Sequence, residues 1–288
     1  MVYFIAEVSS NHARNLDRCR QFVDTAADIG CDAVKFQLFR VKELFSPEIL
    51  AKSPQHRARE AWELPEAFLD PIAERCRARG IEFVCTPFFL EAVDLLRPYV
   101  DRYKVASYEL LWHELIHACA ATGKPLLLST GMATLDEIAA AVAAARQGGG
   151  PATDLTLLHC ISGYPTPAAE ANLAALETMG RACGVPMGWS DHTVRPAVIQ
   201  RAVHRWGAVA VEFHLDLDGS GDEFVTGHCW LPEAAGAMIA GIREGLGADG
   251  TGEKRPMPAE LPDRDWRADP SDGLRPMKPL RASWTPAP

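Results

Sequence analysis

Two histidines lie beside acids in short apolar segments. His192 belongs to GWSDHT (188–193) and His214 to VEFHLDLD (211–218). Glu212 precedes His214 by two residues and Asp216 follows it by two, so on an extended chain all three share one face. Two imidazoles with a nearby carboxylate suit a divalent ion of the Zn, Mn or Fe type. A buried hydrogen-bonded pair is the structural alternative. Lys35 in AVKFQLF and Lys104 in RYKVAS are embedded among apolar residues, where an ammonium needs an anion. With Ser107, Ser129 and Ser190 they would form a cradle for a phosphate or carboxylate; a Schiff-base lysine is the other chemistry open to them. Glu7 is either a general acid/base near those lysines or their structural ion-pair partner. His12 begins a loop from which it could reach a substrate. His159 suits barrel packing as well as a site, and His56, His113, His117 and His204 are read as structural or solvated.

These residues need strands to carry them. Eight short apolar or β-branched runs are present: 3–8, 33–39, 82–87, 102–107, 125–130, 155–161, 186–191 and 208–215. Each is too short for a helix and is bounded by turn residues, as buried parallel strands are. Amphipathic helices are expected between them, most clearly over 15–30, 65–80, 134–149 and 195–207, with Asn15 and Thr134 or Asp136 as N-caps. Eight strand-then-helix units in residues 1–248 predict an α/β fold, a (β/α)8 TIM barrel. No GxGxxG follows the first strand, which weighs against a dinucleotide fold. In such a barrel the chemistry lies at the C-terminal strand ends. Glu7, Lys35, Gln37, Thr86, Lys104, Ser107, Ser129, Ser162, Tyr164, Ser190, His192, Glu212 and His214 all fall in or just after those segments. The long segment 40–62 is expected to cover that face. Residues 249–288, rich in Pro, Asp and Arg and without periodicity, are expected to form an extended C-terminal tail.

The net charge of −9 gives no basic surface for nucleic acid or membrane lipid. The N-terminus has no charged segment ahead of an apolar run, and no apolar run is long enough to span a bilayer. The eight cysteines form no CxxC pair, so they are expected to be reduced, buried thiols of a cytoplasmic protein.

The segments IAEVSSNH (5–12), DAVKFQLF (32–39), EFVCTPF (82–88), YKVASYEL (103–110), GKPLLLSTGMATLDEI (123–138), LLHCISGYPTP (157–167), GWSDHT and VEFHLDLD together resemble the sialic acid synthase (N-acetylneuraminate synthase) family. They cover almost the whole barrel in order. The resemblance implies condensation of phosphoenolpyruvate with an acylated hexosamine, typically N-acetylmannosamine, giving a nine-carbon keto sugar acid and phosphate. It implies a divalent metal, manganese first, with magnesium or cobalt as alternatives, held by His192 and His214. It assigns Lys35, Lys104, Ser107, Ser129 and Ser190 to phosphoenolpyruvate and Glu7 to water activation. Gln37 and Tyr164 would line the sugar site, with Thr86, Ser162 and Glu212 also among the substrate-binding residues. A homodimer is the expected assembly.

The chain departs from the family pattern at several points. Ser162 stands where the family usually has Asn, and Phe213 where it has a basic residue; strand alternation should turn Phe213 away from His214. The loop after strand eight reads GSGDEFVTGHCWLP (219–232), where Asp222 or Glu223 would supply a sugar-binding acid and His228 is unassigned. The family's C-terminal antifreeze-like domain is not matched, which leaves the acceptor sugar open. A Schiff-base aldolase using Lys35 or Lys104, and a sugar-binding barrel without turnover, are the alternatives.

Overall fold

The eight apolar runs become eight parallel strands: β1 Tyr3–Glu7, β2 Ala33–Leu38, β3 Glu82–Pro87, β4 Arg102–Val105, β5 Leu126–Ser129, β6 Leu155–Cys160, β7 Met187–Asp191 and β8 Ala210–Leu215. The structure is a computed structural model and describes residues 2–285. Each strand pairs with the next, and β1 pairs back onto β8 from Tyr3↔Ala210 to Glu7↔His214, which closes the barrel. Between them run α1 Leu16–Asp28, α2 Leu69–Arg79, α3 Leu90–Leu96, α4 His113–Ala121, α5 Leu135–Gly149, α6 Ala175–Cys183 and α7 Pro196–His204, followed by α8 Pro232–Ala248. Two of the expected caps form. Asn15 accepts the Arg18 N–H, and Thr134 makes a reciprocal capping box with Glu137.

Alternation along the strands sorts the side chains into two environments. Phe4, Phe36, Phe83, Trp189 and Phe213 are fully buried. Phe36 meets Phe83 edge-on at 6.0 Å, and Phe213 meets Trp230 at 6.3 Å. Burying each such ring is worth roughly 1.5–3 kcal/mol. The residues of opposite parity point inward and stack in layers. At the N-terminal end Tyr3 hydrogen-bonds Glu82, and the Arg102 guanidinium lies 4.9 Å above the Tyr3 ring. The middle layer is apolar: Ile5, Ala33, Val84, Leu127, Leu158 and Ala210. Gly188 sits beside this layer because a Cβ there would lie 2.6 Å from the Ala210 carbonyl oxygen. The top layer is polar and buried, holding Glu7, Lys35, Thr86, Lys104, Ser129, Ser190 and Glu212. The apolar layer thus separates a closed floor from an ionic chamber.

Two features complete the unit. The 40–62 segment folds into short helices Val41–Leu44, Pro47–Lys52 and Pro54–Ala58 and a turn Arg59–Trp62. A two-residue strand that the sequence did not announce, β9 Cys229–Trp230, pairs with the end of β8 as His214↔Cys229 and Leu215↔Trp230. No described helix is long and apolar enough to cross a membrane.

The chain divides between Gly245 and Leu246. The second unit, expected as an extended tail, carries turns at Pro258–Glu260 and Arg264–Trp266 and a helix at Lys278–Ser283. Asp269 organises it: its carboxylate accepts the backbone N–H groups of Ser271 and Lys278, each at 2.9 Å. A short polar side chain that captures nearby amides makes turns without needing an apolar period.

Candidate active site

The C-terminal strand ends surround a cavity of about 740 Å³. At its base four buried charges interlock. Lys35 Nζ lies 2.6 Å from Glu7 Oε2 and 3.5 Å from Glu212 Oε1, and Lys104 Nζ donates to Glu212 Oε1 at 3.0 Å. Gln37 Nε2 donates to Glu7 Oε1 at 2.5 Å, and Lys35 donates to Thr86 Oγ1 at 3.3 Å. Two cations and two anions compensate one another where none could be buried alone. Burial works against the Lys35 charge, but Glu212 and Glu7 outweigh it and raise its pKa. At Lys104 burial wins and lowers the pKa, with Glu212 opposing. Burial pushes Glu212 up, yet Lys104 and Lys35 prevail and hold it well below the usual carboxylate range.

This chamber has unused hydrogen-bonding capacity. Glu7 Oε2 contacts Lys35 by charge but lies off the line of a hydrogen bond. Glu212 Oε2, Ser129 Oγ and Ser162 Oγ are buried without a protein partner. Such atoms mark a place for a polar guest. Gly131 follows β5 and donates its N–H to Ser107 Oγ at 3.0 Å; a Cβ there would come within 2.3 Å of Ser162 Oγ and 2.8 Å of Ser107 Oγ. Only glycine leaves this pocket of hydroxyls open. Ser190 also lines the cavity, with Ser107 and Ser129. Glu109, from the turn Ser107–Glu109, also lines the cavity; burial pushes its carboxyl up to about 7, against the pull of Lys104. Its value as a site residue was not legible from the sequence.

At the ends of β7 and β8 the structure gathers imidazoles. The His192 and His214 rings are 5.2 Å apart, and Tyr164 lies 4.2 Å from His192. His192 Nδ1 is 2.8 Å from the Ile161 carbonyl oxygen. A carbonyl only accepts, so Nδ1 carries the proton and Nε2 keeps its lone pair, as in histidines oriented for metal ligation. Burial pushes His192 down to about 3, so the ring is neutral near pH 7. Among the described residues, the donors lying within 4.8 Å of one another are His214, Glu223, His228 and Cys229; His192 faces this group without belonging to it. Asp191 points away from the cavity and accepts from Trp189 Nε1 at 3.0 Å, Thr193 Oγ1 at 2.7 Å and Trp230 Nε1 at 3.2 Å. It braces the segment that presents His192.

Several other residues sit elsewhere than expected. Asp222 is exposed and its carboxylate accepts from Trp62 Nε1 at 3.2 Å, while Glu223, one step around the short helix Asp222–Val225, faces the cavity. Asp216 is buried in an ion pair with Arg18 at 3.0 Å rather than beside His214. Glu212 faces the lysines. His12 is buried, with Nδ1 accepting the Arg14 N–H at 2.9 Å, and does not line the cavity. His159 packs at 5.3 Å from Trp189, with Nε2 on the Ala171 carbonyl. His56, expected to be structural or solvated, lines the cavity with Phe45, Arg59 and Trp62 from the 40–62 segment. Those four belong to a segment whose path depends on tertiary contacts, so no local period could have found them.

Residues 22–254 match the NeuB family. The chain belongs to the NeuB family. An uncharacterized protein of Methanocaldococcus jannaschii is 36% identical over 261 residues, covering 90% of this chain and 75% of that protein. The N,N'-diacetyllegionaminic acid synthase of Legionella pneumophila is 32% identical, covering 91% of this chain and 77% of that one. The crystal structure of the N-acetylneuraminic acid (sialic acid) synthetase of Leptospira borgpetersenii, in complex with citrate, aligns with a TM-score of 0.80 at 27% identity, covering 94% of this chain and 93% of that one. As a NeuB-family member the chain is a phosphoenolpyruvate-dependent synthase of the nonulosonic acid class.

Proposed function

We propose that this NeuB-family protein joins phosphoenolpyruvate to an N-acylated hexosamine, N-acetylmannosamine or a diacetylated relative, giving a nine-carbon keto sugar acid and phosphate. The observation that carries this reading is the buried Lys35–Lys104–Glu7–Glu212 cluster beneath unpartnered serine hydroxyls. Lys35, Lys104, Ser107, Ser129, Ser162 and Ser190 hold the phosphoenolpyruvate anion, with Thr86 positioning Lys35. Gln37, Tyr164 and Glu223 face the acceptor sugar, with Asp222 at the rim.

The donor chemistry of the wall that follows β7 and β8 fits a divalent cation: imidazoles and a carboxylate converge there. His192 and His214 would hold it, with manganese the first choice and magnesium or cobalt as alternatives. When bound, such an ion would supply Lewis acidity toward the sugar aldehyde. C3 of phosphoenolpyruvate adds to the aldehyde carbon, whose oxygen takes up a proton to become a hydroxyl, and C2 becomes electron-poor. Glu7 takes a proton from the water that adds at C2. Lys35 and Lys104 stabilise the phosphate as the tetrahedral carbon expels it.

Acceptor-dependent release of phosphate from phosphoenolpyruvate tests this reading. Consumption with none of a panel of acylated hexosamines, in protein that has been loaded with manganese, would contradict it. Lys104, whose burial lowers its pKa, is the residue a Schiff-base aldolase would use. Borohydride reduction in the presence of pyruvate should leave it unlabelled.

A further inference from the structure

The wall that follows β8 carries a second layer of chemistry. Glu223 Oε2 lies 2.9 Å from His214 Nδ1 and 3.6 Å from His228 Nε2, and the two rings are 4.7 Å apart. A carboxylate and two imidazoles therefore point at one another inside the cavity. Glu223 and His228 are each held from behind. Ser9 and Ser10 donate to the other Glu223 oxygen, the latter at 3.2 Å, and the Glu223 N–H reaches Asn11 Oδ1 at 3.4 Å. His228 Nδ1 meets Thr226 Oγ1 at 2.5 Å. Orientation by such outer contacts is what metal ligands carry. The nearby Cys229 sulphur is instead met by Asn11 Nδ2 at 3.6 Å.

We propose that Glu223 and His228 join the His192–His214 pair as metal donors, adding a carboxylate and a third imidazole beside His192, whose ring lies 5.2 Å from His214 and 6.2 Å from His228. Imidazole-rich sets of this kind suit Mn, Fe, Co or Zn, whereas Mg prefers oxygen ligands and its own waters. The ion then ties the loop after β8 to the barrel end, so one loop supplies both metal affinity and part of the cavity wall. This inference rests on the reading that the cavity holds a divalent ion.

The full chain, stripped with chelator and titrated with Co2+, provides the test through metal content at equilibrium and the visible spectrum of the bound ion. Wild type is expected to bind one Co2+ per chain and to prefer it over Mg2+. H228A and E223Q should each weaken binding by more than about 100-fold, beyond the roughly 10–100-fold that loss of an outer contact costs, and alter the spectrum. C229S should change neither. H228Q, which keeps the bulk of the side chain, supplies the same readout if H228A does not fold. If both substitutions bind Co2+ with wild-type affinity and spectrum, this inference is overturned while the metal reading stands. Loss of binding only in H214A and H192A has the same meaning. A sulphur-to-cobalt charge-transfer band that C229S abolishes overturns the nitrogen–oxygen set. Absence of bound ion in wild type overturns both.

Discussion

At Glu7 the chain buries a carboxylate completely, with an ammonium at one oxygen and an amide at the other. Gln37 fixes the orientation of the group, which leaves it placed to receive a proton inside the cavity. Removing its basicity while keeping its shape separates chemistry from packing. E7Q should lower kcat by roughly 10²–10⁴-fold and change KM for phosphoenolpyruvate much less, as measured by steady-state phosphate release. His12 illustrates the opposite fate of a polar residue. Burial pushes its pKa down to about 4, from an ordinary value of 6.5. Between those pH values the folded chain binds fewer protons than the unfolded one, so stability falls as pH drops through that window. Asn offers an oxygen to the Arg14 N–H and does not titrate. Thermal unfolding of H12N should therefore lose less stability than wild type between about pH 6.5 and 4. A parallel decline in both proteins would remove His12 as the cause. The inward residues of the strands were legible because a period of two leaves one choice of face. Glu223 was not, because a single step around a short helix separates it from Asp222.

At the scale of elements, the loop after β5 joins a cradle to a helix. Gly131 leaves room among Ser107 and Ser162, and three residues later Thr134 caps α5. The two jobs separate by substitution. G131A places a methyl among the hydroxyls and should raise KM for phosphoenolpyruvate at least about tenfold, on the order of 1.4 kcal/mol, with little change in Tm. T134A should cost about 1 kcal/mol of stability and leave KM unchanged. Denaturant unfolding and steady-state kinetics on the same two variants check both. Strands β1–β8 and the caps were legible because short buried runs and cap residues act locally. The parts the sequence hid depend on distant partners. β9 has only two residues and exists because the end of β8 offers free backbone groups. The 40–62 segment was legible as a cover, but which of its side chains enter the cavity was not. Phe45 stacks edge-on with His56 at 4.7 Å, and Arg59 lies over Phe45 and Trp62; a local packing of this kind has no periodic signature.

For the molecule as a whole, one barrel divides its interior between structure and chemistry. The Tyr3–Glu82–Arg102 floor and the apolar layer close one end, so the ionic layer opens only toward the cavity. A ligand bound at that open end is linked to the stability of the barrel. Saturation at a hundred times Kd stabilises the folded state by about 2.7 kcal/mol, which for a domain of this size is roughly 5–10 °C in Tm. Thermal unfolding in excess Mn2+ and in chelator should differ by about that much, and equal Tm values would contradict a specific ion site. The net charge of −9 gives no long-range attraction for an anionic substrate, so under the proposed function the anion is held at short range, by Lys35 and Lys104. The most direct measurement of the central claim is phosphate release in heavy-oxygen water, with manganese, phosphoenolpyruvate and the acylated hexosamine panel. Water adds at C2 in this account, so released phosphate should depend on the acceptor and carry no heavy oxygen. Phosphate that carries the label, or no acceptor-dependent release at all, would contradict it.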